Sequence, residues 1–350
     1  MLGPSTEPTA PEFTPKVAKQ YAIFVILLSL GLITLCAVLD HIRPIDFGST
    51  GRFGPRVWLY EPPGTWNGYG GDNQIITSND AGIKVFNLPV KEVFKSHERL
   101  LSPVVSGRWL AYVVEAQQAP RQIKVLNLET GEEIALGHDE LGQGEPAVSG
   151  NWVVFGERSP NDDKVSNIYA YDLSKDTRLP IAVEEGKVRC CPKVSEQWVI
   201  YLQGQAPWDS RRTSIELRAH SLITGEDFAI GSVPAPNNAS FGTFHALDDG
   251  RAAWVRNEPN YLSSMHLYDL ATREDRILPS ETGYLGGVSL TDKQHLVVFN
   301  NNGWKVVDWS KAQPTLTPLP WSSGINNLRA AGDYLVGQAS RDVFVAQILP

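Results

Sequence analysis

Three stretches of this chain repeat one another: SPVVSGRWLAYVVE from Ser102, EPAVSGNWVVFGE from Glu145 and CPKVSEQWVIYLQ from Cys191. Each reads as a short strand, a Ser-containing turn, and a second strand opening on Trp109, Trp152 or Trp198. A loop and a third strand follow in each case: QIKVLNLETGEE from Gln122, NIYAYDLSKDTR from Asn167 and SIELRAHSLITGED from Ser214. More diverged copies are RAAWVRN with MHLYDLATRED, HLVVFN with GWKVVDWSKA, and YLVGQAS with DVFVAQIL, and an early one is NQIITSN with GIKVFNL. Taking Gln74, Trp109, Trp152, Trp198, Ala252, His295 and Tyr334 as equivalent starts gives units about 43 residues apart, the size of a four-stranded propeller blade. Apolar residues alternate with polar ones as in strands, and no helical period competes. The recurring D-L-x-T-G-E pattern predicts a hairpin turn, in which Gly supplies the positive φ and Asp or Asn caps the bend.

The last unit ends after its third strand, and an orphan apolar stretch, RVWLY from Arg56 to Tyr60, precedes the first. Used as the outer strand of the last blade, it would leave no open sheet edge, which is otherwise an aggregation hazard. The expected fold is all-β: a seven-bladed propeller over 56–350, closed by the 56–60 strand. Six blades is the alternative if the weak first copy is not one. The repeats resemble those of TolB-type and related propellers, whose blades read P-x-x-S-x-D-G-x-x-I/V-A-F followed by I-Y-V-x-D-L-x-T-G. In this chain Val-Ser-Gly-Arg/Asn-Trp replaces Ser-Pro-Asp-Gly, so the resemblance is to a repeat class. It implies the fold and leaves function open, since propellers host enzymes, receptors and scaffolds alike.

Ahead of the repeats runs an uncharged stretch, QYAIFVILLSLGLITLCAVL, long enough to cross a bilayer as a helix. It exceeds a signal-peptide core and lacks a small-residue cleavage pattern, so an uncleaved transmembrane helix is expected over 20–40. Residues 1–19 carry four prolines and read as a flexible arm, and 41–55 as a linker. Lys16 and Lys19 before the helix favour a cytoplasmic N-terminus, with the propeller on the extracytoplasmic side of the membrane.

A formal charge of −8 argues against a nucleic-acid partner. The sequence shows no G-x-S-x-G turn, H-E-x-x-H, Cys-x-x-Cys or phosphate-cradling glycine loop, so no catalytic residue, metal site or cofactor is expected. Its T-G-E turns are similar to those of pyrroloquinoline-quinone propellers, but the Asp and cofactor-facing Arg of that class have no match. Cys190 and Cys191 are adjacent, without the spacing of a disulfide framework or zinc site, and read as structural. Trp109, Trp152, Trp198 and Trp254 read as one repeated position packing blade on blade.

Loop length carries the functional signal. The connection between second and third strands is short in units one, six and seven and long in units two to five, all on one face. Long loops on a rigid scaffold are where binding concentrates. Within them, Trp208 with Arg211 and Arg212, and Tyr261 with Asn260, are residue types of interface hot spots. Arg189 is a candidate for the border of the central funnel. The expected function is a membrane-anchored, non-enzymatic scaffold or accessory subunit of a membrane complex that binds a protein. A small-molecule sensor or enzyme using the funnel is the alternative.

Overall fold

Each repeat folds as an antiparallel meander because its turns are locally determined. In four blades the residue ending the third strand caps the next turn with its own side chain: Asn127 Oδ1 accepts from the Glu129 amide at 3.0 Å, Asp172 Oδ1 from Ser174 at 3.0 Å, Ser221 Oγ from Thr224 at 3.1 Å and Asp269 Oδ1 from Thr272 at 2.8 Å. The fifth residue of each turn has positive φ, at Gly131, Asp176, Gly225 and Arg273. Glycine adopts that conformation without strain, whereas Asp176 and Arg273 carry a Cβ there.

The computed structural model describes residues 45–46, 52–59, 69–70, 73–79, 82–88, 91–96, 100–115, 120–137, 141–158, 166–206, 214–233, 240–257, 263–278, 286–290, 295–300, 303–308, 316–319, 325–339 and 342–348. The expected arm at 1–19 and membrane helix at 20–40 lie outside these, and among the described residues no helix is long and apolar enough to cross a membrane.

The strands form seven sheets, which are the seven blades. Blade 4 illustrates the order: Lys187–Ser195, Trp198–Gln205, Ile215–Ser221 and Asp227–Val233. First strands of successive blades touch one another and so ring the central axis. In blade 1 that role falls to Tyr69–Gly70, which pairs in parallel with the first strand of blade 2, Leu101–Ser106. Second strands begin at Gln74, Trp109, Trp152, Trp198, Arg251, His295 and Tyr334, so the repeat spacing locates all seven blades, with blade 5 starting one residue earlier than Ala252. Blade 7 takes its outer strand from the other end of the repeat region: Arg52–Leu59 pairs antiparallel with Asp342–Ile348, Val57 opposite Val345.

The core is divided among seven seams. Between blades 4 and 5, Trp198, Ile200, Leu217 and Ala219 meet Ala252, Trp254 and Leu270. Between blades 5 and 6, the opposite face of the same second strand sends Ala253 and Val255 against Val288, Leu296, Val298 and Val307. The second strands of such a ring are buried on both faces, which is why several read as nearly continuous apolar runs, while outer strands such as Lys91–Ser96 stay largely exposed. Trp254 does not share the position of Trp109, Trp152 and Trp198. Those three open their strands opposite Ser106, Ser149 and Ser195, whereas Arg251 opens the strand in blade 5. Trp254 instead occupies the fourth position, with Tyr112, Phe155 and Tyr201, a second and more deeply buried aromatic repeat.

The Val-Ser-Gly signature has a distinct role between blades. Ser106 Oγ accepts from the Gly150 amide at 3.2 Å, Ser149 Oγ from Glu196 at 3.3 Å and Ser195 Oγ from Asp249 at 3.1 Å. Each serine thus latches its blade to the inner turn of the next.

Candidate functional site

The strand bounds make the loop asymmetry explicit. Second and third strands are joined by residues 80–81, 301–302 and 340–341 in blades 1, 6 and 7, but by 115–121, 159–165, 206–214 and 258–262 in blades 2 to 5. Trp208, Arg211 and Arg212 fall in the blade 4 connection and Asn260 and Tyr261 in that of blade 5, all outside the described residues. The blade 4 connection is anchored at its start, where the Ala206 amide donates to Gly186 O at 2.9 Å.

Beside that anchor a cleft of about 330 Å³ opens between blades 3 and 4, lined by Val183, Glu184, Arg189, Tyr201, Gln203, Arg218 and Asp227. Alternation within blade 4 builds it. Along Ile215–Ser221, Ile215, Leu217 and Ala219 are buried, with Leu217 and Ala219 packed in the seam with blade 5. Glu216, Arg218 and His220 take the opposite face, towards blade 3.

Arg189 sits in the first strand of blade 4 and is 3% exposed. Its Nε donates to Gln203 Oε1 at 2.8 Å, and its Nη1 to Glu184 O at 3.3 Å and Asn167 Oδ1 at 3.5 Å. The guanidinium therefore lies between blades 3 and 4. Its backbone is held as well, since the Arg189 amide donates to Ser166 Oγ and that hydroxyl donates to Arg189 O at 2.6 Å. Burial pulls the guanidinium pKa below its ordinary value, and the nearby Glu184 carboxylate opposes this.

On the outer strand of blade 4, Asp227 gathers three neighbours. Tyr201 OH donates to Oδ2 at 2.6 Å, Arg218 Nε donates to Oδ1 at 2.7 Å, and His220 Nδ1 lies 3.5 Å from Oδ2. Burial alone would raise the Asp227 carboxyl, but His220, Tyr201 and Arg218 together hold it below the ordinary carboxylate value. Burial, with the bond to Asp227, pushes the Tyr201 phenol up, so it remains protonated and donates at neutral pH. Arg218 also donates to Glu216 Oε2 at 2.8 Å. These donors and acceptors are largely committed to one another, and the chemistry open to the cleft is recognition by hydrogen bonding. Tyr201, Arg218 and Asp227 were not candidates from sequence. A readable signal existed: the position of Arg218 also carries a polar or charged residue in other blades, as Lys124 and His266, each facing an acid of its own outer strand, Glu133 and Asp275.

Among the described residues, one group of side chains gathers three potential metal-ligand atoms: Glu145, Cys190 and Cys191.

These features define a seven-bladed β-propeller with an elaborated arc. No family model matches the chain, and no curated protein matches it. Solved structures do. A chain of a mitotic checkpoint complex superimposes with a TM-score of 0.55 at 11% identity, over 88% of this chain and 97% of that one. An oligogalacturonate lyase in complex with manganese gives 0.56 at 11% identity, over 88% and 96%. A puromycin-hydrolysing peptidase of Mycobacterium tuberculosis gives 0.52 at 14% identity, over 75% of this chain and 48% of that one. At these identities the likeness is one of fold, and it spans enzymes and a component of a protein assembly.

Proposed function

We propose that this chain is a membrane-anchored, non-enzymatic propeller of the TolB-like repeat class, which binds a protein partner as a scaffold or accessory subunit of a membrane complex. The observation that carries the reading is the confinement of long second-to-third connections to blades 2 to 5, against two-residue joints in blades 1, 6 and 7. A ring whose seams repeat has no packing reason to lengthen adjacent loops on one face only, and such an arc is the usual form of a binding surface on a rigid scaffold. The uncharged 20–39 stretch supplies the anchor, and Lys16 and Lys19 before it favour an extracytoplasmic propeller. Trp208, Arg211, Arg212, Asn260 and Tyr261 lie in the two connections that offer aromatic and guanidinium anchors.

The test is gentle detergent extraction of the full chain, followed by quantitative mass spectrometry of what co-purifies. A stoichiometric membrane protein should accompany the wild type and be lost when Trp208, Arg211, Arg212 and Tyr261 are together replaced by Ala, with the β-sheet circular-dichroism signal unchanged. Recovery of the same partner by the quadruple variant would reject this surface. Isolation of the wild type alone would reject the scaffold reading.

A further inference from the structure

The adjacent cysteines acquire a third neighbour that linear spacing hides. In the inner strands of blades 2, 3 and 4, a bulge falls at the same place in the repeat, before Pro103, Pro146 and Pro192. The residue preceding each proline, Ser102, Glu145 and Cys191, has positive φ. Glu145 and Cys191 are thus equivalent positions one blade apart, and closing the ring sets them side by side. The Cys191 amide donates to Glu145 Oε2 at 2.5 Å, and Cys191 O meets His245 Nε2 of blade 5 at 2.7 Å. Neighbouring blades therefore clamp the bulge from both sides. Cys190 Sγ lies 2.7 Å from Cys191 Sγ, and both thiols are unbridged and half-buried, while Glu145 is exposed. The two sulfurs and a Glu145 carboxylate oxygen all lie within 4.8 Å of one another.

The group lies at the bulges of the inner strands of blades 3 and 4, which belong to the ring of first strands round the axis. Lys193, in the blade 4 strand, feels the charge of Arg329 in the first strand of blade 7 as well as those of Cys191 and Glu145.

We propose that Cys190, Cys191 and Glu145 form a site for a borderline-soft divalent cation of the zinc class on the channel wall of the propeller. Two thiolates and a carboxylate are a donor set suited to such an ion, and solvent in the channel supplies the fourth, open position. Binding releases two thiol protons to solvent and transfers no electron. The sulfurs must separate by about 1 Å to make tetrahedral bonds of about 2.3 Å each. The donor set carries three negative charges against the ion's two positive.

The experiment uses the reduced full-length chain in detergent with cadmium ion alone as probe, because cadmium–thiolate bonds absorb in the near ultraviolet, and zinc as competitor. One cadmium per chain should bind, with that absorption, and zinc should displace it. Replacing Cys190 and Cys191 together by Ser should abolish the band. Glu145→Gln, which keeps both thiols, should weaken binding by roughly tenfold or more. The site is rejected if wild type and double-serine variant bind alike, if Glu145→Gln leaves the affinity unchanged, or if the reduced chain retains a Cys190–Cys191 disulfide by mass.

Discussion

Two seams of the ring solve the same packing problem by different means. Between blades 5 and 6 the cluster that meets is apolar, with Ala253, Val255, Leu296, Val298 and Val307 each inaccessible to solvent and Lys305 buried on the strand face of Val307. Between blades 3 and 4 an apolar half, including Val154, Ala170, Val199 and Tyr201, gives way to the network of Arg189, Gln203, Arg218 and Asp227. Apolar contact is non-directional and rewards only a good fit. Buried polar groups must instead find partners at set distances, so they fix blade 4 against blade 3 in one arrangement. The polar seam adjoins the longest second-to-third connection, 206–214, where a fixed orientation would serve a binding loop.

The largest effect should come from the apolar seam. Leu296 is fully buried, and Leu296→Ala removes its burial and leaves a cavity between two rigid sheets, which should destabilise the fold by about 2–5 kcal/mol. Denaturant unfolding measures this, and a loss below ~1 kcal/mol would mean the seam collapses to fill the space. In the polar seam, Arg189→Leu keeps bulk but strips Gln203 of its 2.8 Å donor and Asn167 of its contact, for an expected loss of about 1–3 kcal/mol. A neutral result would show that shape rather than hydrogen bonding organises both seams alike.

How much of this was legible in sequence follows from what a repeat can encode. The second-strand starts were readable because turn chemistry and the Trp position recur locally, as at Trp109, Trp152 and Trp198. Blade 5 was misregistered where Arg251 replaces the aromatic, which let Trp254 pass for a member of the wrong column. Arg189 was singled out, but not its place in the seam, because Asn167, Gln203 and Glu184 reach it from separate strands or from the connection between the two blades. The group of Glu145 with the cysteines was hidden for the same reason. Glu145 is separated in sequence from the two cysteines by a whole blade, and the stacking of blade 3 on blade 4 makes them neighbours. Trp208, Arg211, Arg212, Asn260 and Tyr261 rest on residue type and loop length, and no side-chain geometry of theirs is described.

Acid sharpens the comparison, since the cluster between blades 5 and 6 holds no carboxylate. Asp227 is held below its ordinary value of 3.8, so the unfolded chain takes up the proton first as pH falls. Its contribution is complete above that ordinary value and is lost as pH falls through the lower, folded one. Asp227→Asn should therefore be less stable than wild type at neutral pH, by about 1–3 kcal/mol given the loss of charge on three donors. The gap should narrow below about pH 4. Urea midpoints of the two proteins across that range test it, and a gap independent of pH would mean that Asp227 is not held ionised by Tyr201, His220 and Arg218.

The smallest effect concerns the serine latches, which join blades 2 to 5 in succession. Ser149 Oγ takes the Glu196 amide of the next blade at 3.3 Å, and the turn it caps has Glu196 in the left-handed region at φ 52°. Ser149→Ala removes the acceptor at an exposed turn that water can re-solvate, so the expected loss is only about 0.5–1.5 kcal/mol. Location matters more than size here. Amide exchange should quicken at Glu196 and its neighbours in the blade 4 turn, while the amides of blade 6 keep their protection. Faster exchange spread evenly round the ring would instead mean that the serines contribute to global stability and do not act as individual latches.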